Sequence, residues 1–168
     1  MTVGNVRRWL VAAAMFATAA CGGDGDGDPV RPLVDQITPA MAAVDASLGG
    51  PQQYFEVNAT PQVVNLFVAT DNATMVVPYV WVGGQLGTPS EPTTAEGATF
   101  ATAAVTLDPS TILDGVTDEL PDSDIVLFTV VGGPAGAVQY GAGVQSENGG
   151  TLDVLLGADG SVQSVDAG

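Results

Sequence analysis

Nineteen carboxylates, one thiol and no imidazole set the chemistry open to this chain. Its three basic residues are Arg7, Arg8 and Arg31, and it has no Lys. A Ser-His-Asp set is therefore impossible, and the usual general bases and nucleophile activators are missing. A two-carboxylate hydrolase is the one catalytic option left by composition. Yet Asp108, Asp114, Asp118, Glu119, Asp122 and Asp159 fall where caps, turns and solvated helix faces place acids. Asp24-x-Asp26-x-Asp28 has the opening spacing of an EF-hand loop, with Asp35 at its twelfth position. Pro29, however, stands where that loop needs Gly. Gly132-Gly133-Pro134-Ala135-Gly136 joins strands and is no phosphate-binding turn. Asn58-Ala59-Thr60 and Asn72-Ala73-Thr74 match glycosylation sequons but read as turns. No metal, no cofactor and no enzyme activity are expected.

The single thiol, Cys21, has a different setting. Residues 1–8 carry Arg7 and Arg8, residues 9–20 are apolar and uncharged, and GGDGDGDP follows the cysteine. A basic start, a short apolar run and small residues at its end make a secretory signal peptide. Twelve apolar residues span about 18 Å as a helix, too short for a hydrocarbon core of about 30 Å. Thr18-Ala19-Ala20-Cys21 resembles the lipobox of bacterial lipoproteins, with Thr18 where Leu is usual. That resemblance implies diacylglyceryl (palmitate-type) lipid on the Cys21 sulfur and cleavage just before it. It also implies residence on the extracytoplasmic face of the cell membrane, which two or more acyl chains secure. Val6-Arg7-Arg8-Trp9-Leu10 also resembles a twin-arginine signal, so the export route stays open.

The division expected is a signal peptide over 1–20, a lipidated Cys and flexible Gly/Asp tether over 21–37, and one domain over 38–168. Removing residues 1–20 from the 168 leaves 148, with Arg31 alone against 19 acids, a formal charge of −18. Such a chain lacks the cations that phosphate and nucleic acid require. Acidity does not here mean disorder, because 46% of the chain is hydrophobic and only 13% charged.

The elements form a twofold pattern. Thr38-Pro39 reads as an N-cap and first-turn Pro, and Met41, Val44 and Leu48 follow at helical spacing to Gly49-Gly50. Leu33 and Ile37 extend that apolar face upstream. Strand-like runs follow at 52–58, 62–70 and 75–82, with a turn at Asp71-Asn72 and an end at Gly83-Gly84. About 70 residues on, the order recurs. Asp108-Pro109 opens a stripe of Ile112, Leu113, Val116 and Leu120, and Pro121 ends it. Strands follow at 124–131, 137–145 and 151–156, with a short one at 161–165. Residues 87–98 read as a loop and 99–107 as a linking strand. The fold class is α+β: two helix–strand–strand–strand units (38–86 and 108–165), mainly antiparallel, with helices on one face. This element order resembles PepSY-like and beta-lactamase-inhibitor-like modules, which implies a binding or inhibitory role and carries over no residues.

In the second unit the strands alternate cleanly between apolar and polar faces: Val138, Tyr140, Ala142 and Val144 against Gln139, Gly141, Gly143 and Gln145. The first unit is apolar on both faces. If its aliphatic set packs on the helices, Tyr54, Phe67, Tyr79 and Trp81 are left outside as a candidate binding face. The alternative is that this face is buried against the second unit or in a dimer. The function expected is a membrane-anchored, non-catalytic binding module that meets an envelope protein or peptide and no nucleic acid. Alternatives are a carrier of a small apolar ligand and a carboxylate-based hydrolase.

Overall fold

The computed structural model describes residues 31–147 and 149–167. Cys21, its lipobox and the Asp24–Asp28 run lie outside these residues.

Packing begins inside the segment expected to be tether. Pro32 is buried, and the Leu33 N–H donates to the Thr60 carbonyl at 3.0 Å. Arg31 pairs with Asp114 at 2.9 Å. A 3-10 turn over Val34–Gln36 leads into α1 (Ile37–Ser47). The helix therefore starts two residues earlier than Thr38-Pro39 suggests, and no side chain caps it. Pro39 still sits in the first turn, where its missing N–H costs no intrahelical bond. Ile37, Ala40, Met41 and Val44 form the buried stripe. At the other end Gly49 takes φ +80°, which lets Gly50 N–H reach the Asp45 carbonyl at 2.9 Å and close the helix.

Three strands follow as a meander: β1 (Gln53–Ala59), β2 (Val64–Thr70) and β3 (Met75–Val82). Gly83-Gly84 does not end the series, because β4 (Gln85–Leu86) folds back on β3. The chain then follows the outer edge of β3 through β5 (Thr93–Thr94) and returns to pair β6 (Phe100–Ala101) with the start of β1. The expected linking strand over 99–107 is thus two residues long, and a 3-10 turn at Thr102–Ala104 replaces the rest.

The second unit matches its pattern closely. Asp108 caps α2 (Pro109–Glu119), accepting from Ser110 N–H at 3.0 Å and Thr111 N–H at 3.1 Å. The Ser110 hydroxyl, donating to the same carboxylate at 2.7 Å, and then the Thr111 and Ser110 N–H groups hold its carboxyl below the usual carboxylate range. Then come β7 (Ser123–Gly132), β8 (Val138–Ser146), β9 (Thr151–Leu156) and β10 (Val162–Ala167).

The strands make one sheet of order β10-β9-β8-β7-β1-β2-β3-β4, antiparallel throughout its main path. The units meet through their first strands, with Val57 opposite Val130 and Ala59 opposite Phe128. Both helices cover the same face, and a single core runs beneath them from Val64, Leu66 and Val68 to Tyr140, Val144 and Val154. The fold is therefore α+β, with few helices on an open antiparallel sheet. Among the described residues, no helix is long and apolar enough to cross a membrane.

Candidate functional site

Register decides which side chains face out. Across β2 and β3, Val64 opposes Trp81, Leu66 opposes Tyr79 and Val68 opposes Val77, so these six share a face. That face lies under α1. Tyr54 is 0% exposed and Tyr79 8%. Trp81 is partly buried, its indole N–H 3.4 Å from the Gln36 side-chain oxygen. The candidate binding face of Tyr54, Phe67, Tyr79 and Trp81 is thus divided. Three of the four belong to the core side, and Phe67 stands alone on the other.

The reason is physical. An aromatic with a polar tip can be buried where its hydroxyl finds acceptors. Tyr54 donates toward Asp45 Oδ1 at 2.8 Å and lies 3.1 Å from the Met41 carbonyl. Asp45 also accepts from Gln52 N–H at 2.9 Å and Thr102 Oγ1 at 2.8 Å. This carboxylate ties the end of α1 to β1 and to the crossing between the units. Burial, with the hydrogen bond and negative charge of Asp45, pushes the Tyr54 phenol well above the usual tyrosine range. A bulge between Tyr54 and Glu56 shifts the phase of β1, so Tyr54 and Val57 both point inward.

The outward face carries the opposite set. On β3 it presents Val76, Pro78 and Val80, the aliphatic residues expected beneath the helices. Phe67 lies opposite Pro78 on one side and Glu56 on the other. Asn65 Nδ2 donates to Asn58 Oδ1 at 2.8 Å, and Asn58 Nδ2 donates to Glu56 Oε1 at 2.8 Å. This three-residue chain runs across the middle of the sheet, and Val131 and Thr129 continue both rows onto β7. Further along, Gly141 lies between Thr129 and Leu155 and Gly143 between Leu127 and Asp153, with the Thr129 hydroxyl and the Leu127 side chain close against the two glycines.

No family model, curated protein or solved structure matches this chain.

The chemistry of the face is therefore read from its residues. Amide and carboxylate groups in a row, flanked by Phe67, Pro78 and Val131, suit contact with a partner that offers hydrogen bonds and apolar area together. Among the described residues, no three of His, Cys, Asp and Glu group as metal ligands. A half-open cleft of about 290 Å³ lies at the β8–β9 end, lined by Thr106, Gln139, Tyr140, Leu155, Leu156 and Gln163 among others. Its lining includes no carboxylate. Asp153 and Asp166 face each other across β9 and β10, on the exposed sheet surface. The residues that sequence reasoning missed are Glu56, Asn58 and Asn65. Their alternation with Val57, Val64 and Leu66 was the available signal, hidden by the bulge in β1.

Proposed function

We propose that this protein is a lipid-anchored, extracytoplasmic binding module, held on the cell membrane through Cys21 and non-catalytic in its role. The observation that carries the reading is the lipobox-like Thr18-Ala19-Ala20-Cys21 at the end of a short apolar run, in a chain with no other cysteine. The likeness of element order to PepSY-like and beta-lactamase-inhibitor-like modules supports a binding role. So does the outward sheet face, half-exposed among the described residues, on which Phe67, Pro78 and Val131 flank Glu56, Asn58 and Asn65.

Growth of a bacterial host with radiolabelled palmitate tests the anchor. The wild-type chain is expected to take up label and to enter the detergent phase on phase separation. The Cys21→Ser chain is expected to carry none and to stay in the aqueous phase. An unlabelled wild type, or label retained by the variant, would overturn the proposal.

A further inference from the structure

Strand β8 extends past the end of its neighbour. The Ser146 N–H donates to the Gly150 carbonyl at 3.2 Å and closes the β8–β9 turn. From there every second residue of β8 turns its N–H and C=O to β9, so Val144, Ala142 and Tyr140 exchange bonds with it. Pairing ends at Tyr140 opposite Leu156. Val138 is next in that series, but the chain has left by then: Gly157 N–H donates to the Ser161 carbonyl at 2.8 Å, and the turn leads into β10. The alternate residues Ala137 and Gln139 face β7, and Gly133 N–H donates to the Ala137 carbonyl at 2.7 Å. Val138 therefore turns one N–H and one C=O away from β7 and into the cleft that it lines. Among the described residues, neither group has a hydrogen-bond partner in the protein.

The surroundings define what fits there. Leu155, Leu156 and Ala158 give the cleft apolar walls. The Tyr140 hydroxyl accepts from Thr106 N–H at 3.1 Å, which leaves its own hydrogen to donate. Gln163 stands in the β10 bulge, its amide nitrogen 3.2 Å from where a methyl on Gly157 would lie. No lining side chain is charged, and the whole chain has 19 acids against three basic residues. An anion would meet repulsion with no cation beside it, and a cation would touch no carboxylate. The N–H and C=O of one strand residue are matched by the C=O and N–H of one extended residue opposite, which exchanges two bonds with it. Opposed residues carry their side chains on the same side of the sheet, which sets the ligand's side chain beside Val138 and Leu156. A volume of about 290 Å³ suits one residue with its flanking amides.

We propose that this cleft binds one aliphatic residue of an uncharged, extended peptide, which exchanges two backbone hydrogen bonds with Val138. The proposal rests on the binding-module reading and deepens it, naming the class of ligand and the place it occupies.

The test uses the full chain carrying Cys21→Ser and the end-blocked tripeptide acetyl-Ala-Val-Ala-amide. Saturable binding is expected, with amide shifts at Val138, Gln139 and Gly157 and slowed exchange of the Val138 N–H. N-methylation of the peptide's Val removes the donor to the Val138 carbonyl and should weaken binding at least about tenfold. N-methylation of the Ala after it, whose N–H faces away, should change affinity less than about twofold. Ala158→Phe, at an exposed position of the lining, should fill the cleft and abolish binding, and a blocked Ala-Glu-Ala peptide should not bind. No saturable binding of the parent peptide, or equal affinities for the two methylated peptides, would overturn the proposal. Shifts confined to Glu56, Asn65 and Phe67 would also overturn it, while leaving the binding-module reading intact. Loss of the palmitate label bears on that reading and not on the cleft.

Discussion

Replacing Gly115 by Ala is expected to destabilise the protein by about 2–3 kcal/mol, lowering its melting temperature by roughly 5–10 °C. The direction runs against local preference, since Ala in a helix interior is favoured over Gly by about 1 kcal/mol. Packing outweighs it here. A methyl group built on Gly115 would overlap the carbonyl oxygen of Gly160, and one on Gly160 would lie 2.6 Å from the Thr111 carbonyl oxygen. Thus α2 rests backbone to backbone on the β9–β10 turn, and Gly160 holds φ +83° there. Neither side is a flexible side chain that could swing away. The exposed Asp118→Ala change on the same helix should be neutral or mildly stabilising, which separates helix propensity from contact. Thermal melts of the two variants read the difference, and a stabilised Gly115→Ala would refute the packing.

Asp45→Leu should cost about 3 kcal/mol or more, because three donors lose their shared acceptor at once. Tyr54, Thr102 and the Gln52 N–H all donate to this one carboxylate. Asp45→Asn keeps an acceptor oxygen and should lose about 1 kcal/mol. The same cluster gives a pH signature. The Tyr54 phenol is raised above its ordinary value of 10.0 in the folded state, so folding favours the protonated form. Its contribution is complete below pH 10 and declines as pH rises further, because the unfolded chain releases that proton first. Urea titrations from pH 8 to 11 should show Tyr54→Phe losing stability less steeply than wild type, by about one proton in the slope. Parallel alkaline limbs for the two proteins would contradict the buried cluster.

The sequence made the architecture legible because its punctuation is strong. Asp108-Pro109 marks the start of α2 to the residue, and the runs 75–82 and 151–156 coincide with β3 and β9. The alternation in β8 assigns Tyr140, Ala142 and Val144 to the core without ambiguity. The outward face was harder to read for equally local reasons. In β3 both faces are apolar, so periodicity cannot choose between Val76, Pro78, Val80 and Val77, Tyr79, Trp81. What chooses is the polar tip: Tyr54 and Trp81 find partners in Asp45 and Gln36 only once α1 has docked. The bulge at Phe55 then shifts β1 by one residue, which no composition rule signals. Contacts such as Gly115 on Gly160, or Gly132 on the Ala98 carbonyl, join segments far apart in sequence and need the fold to be seen.

One labelling experiment joins the anchor to the uncovered face. Salt-washed spheroplasts are treated with a membrane-impermeant maleimide. Cys21 is the one cysteine of the chain, and under the proposed lipidation its sulfur is a thioether, so wild type should remain unlabelled. Phe67→Cys should label on the intact surface, whereas Leu66→Cys should label only after denaturation, since Leu66 is 0% exposed beneath α1. Labelling of the wild-type chain at Cys21, or equal reactivity at positions 66 and 67, would contradict a lipid-anchored domain with one covered and one open sheet face.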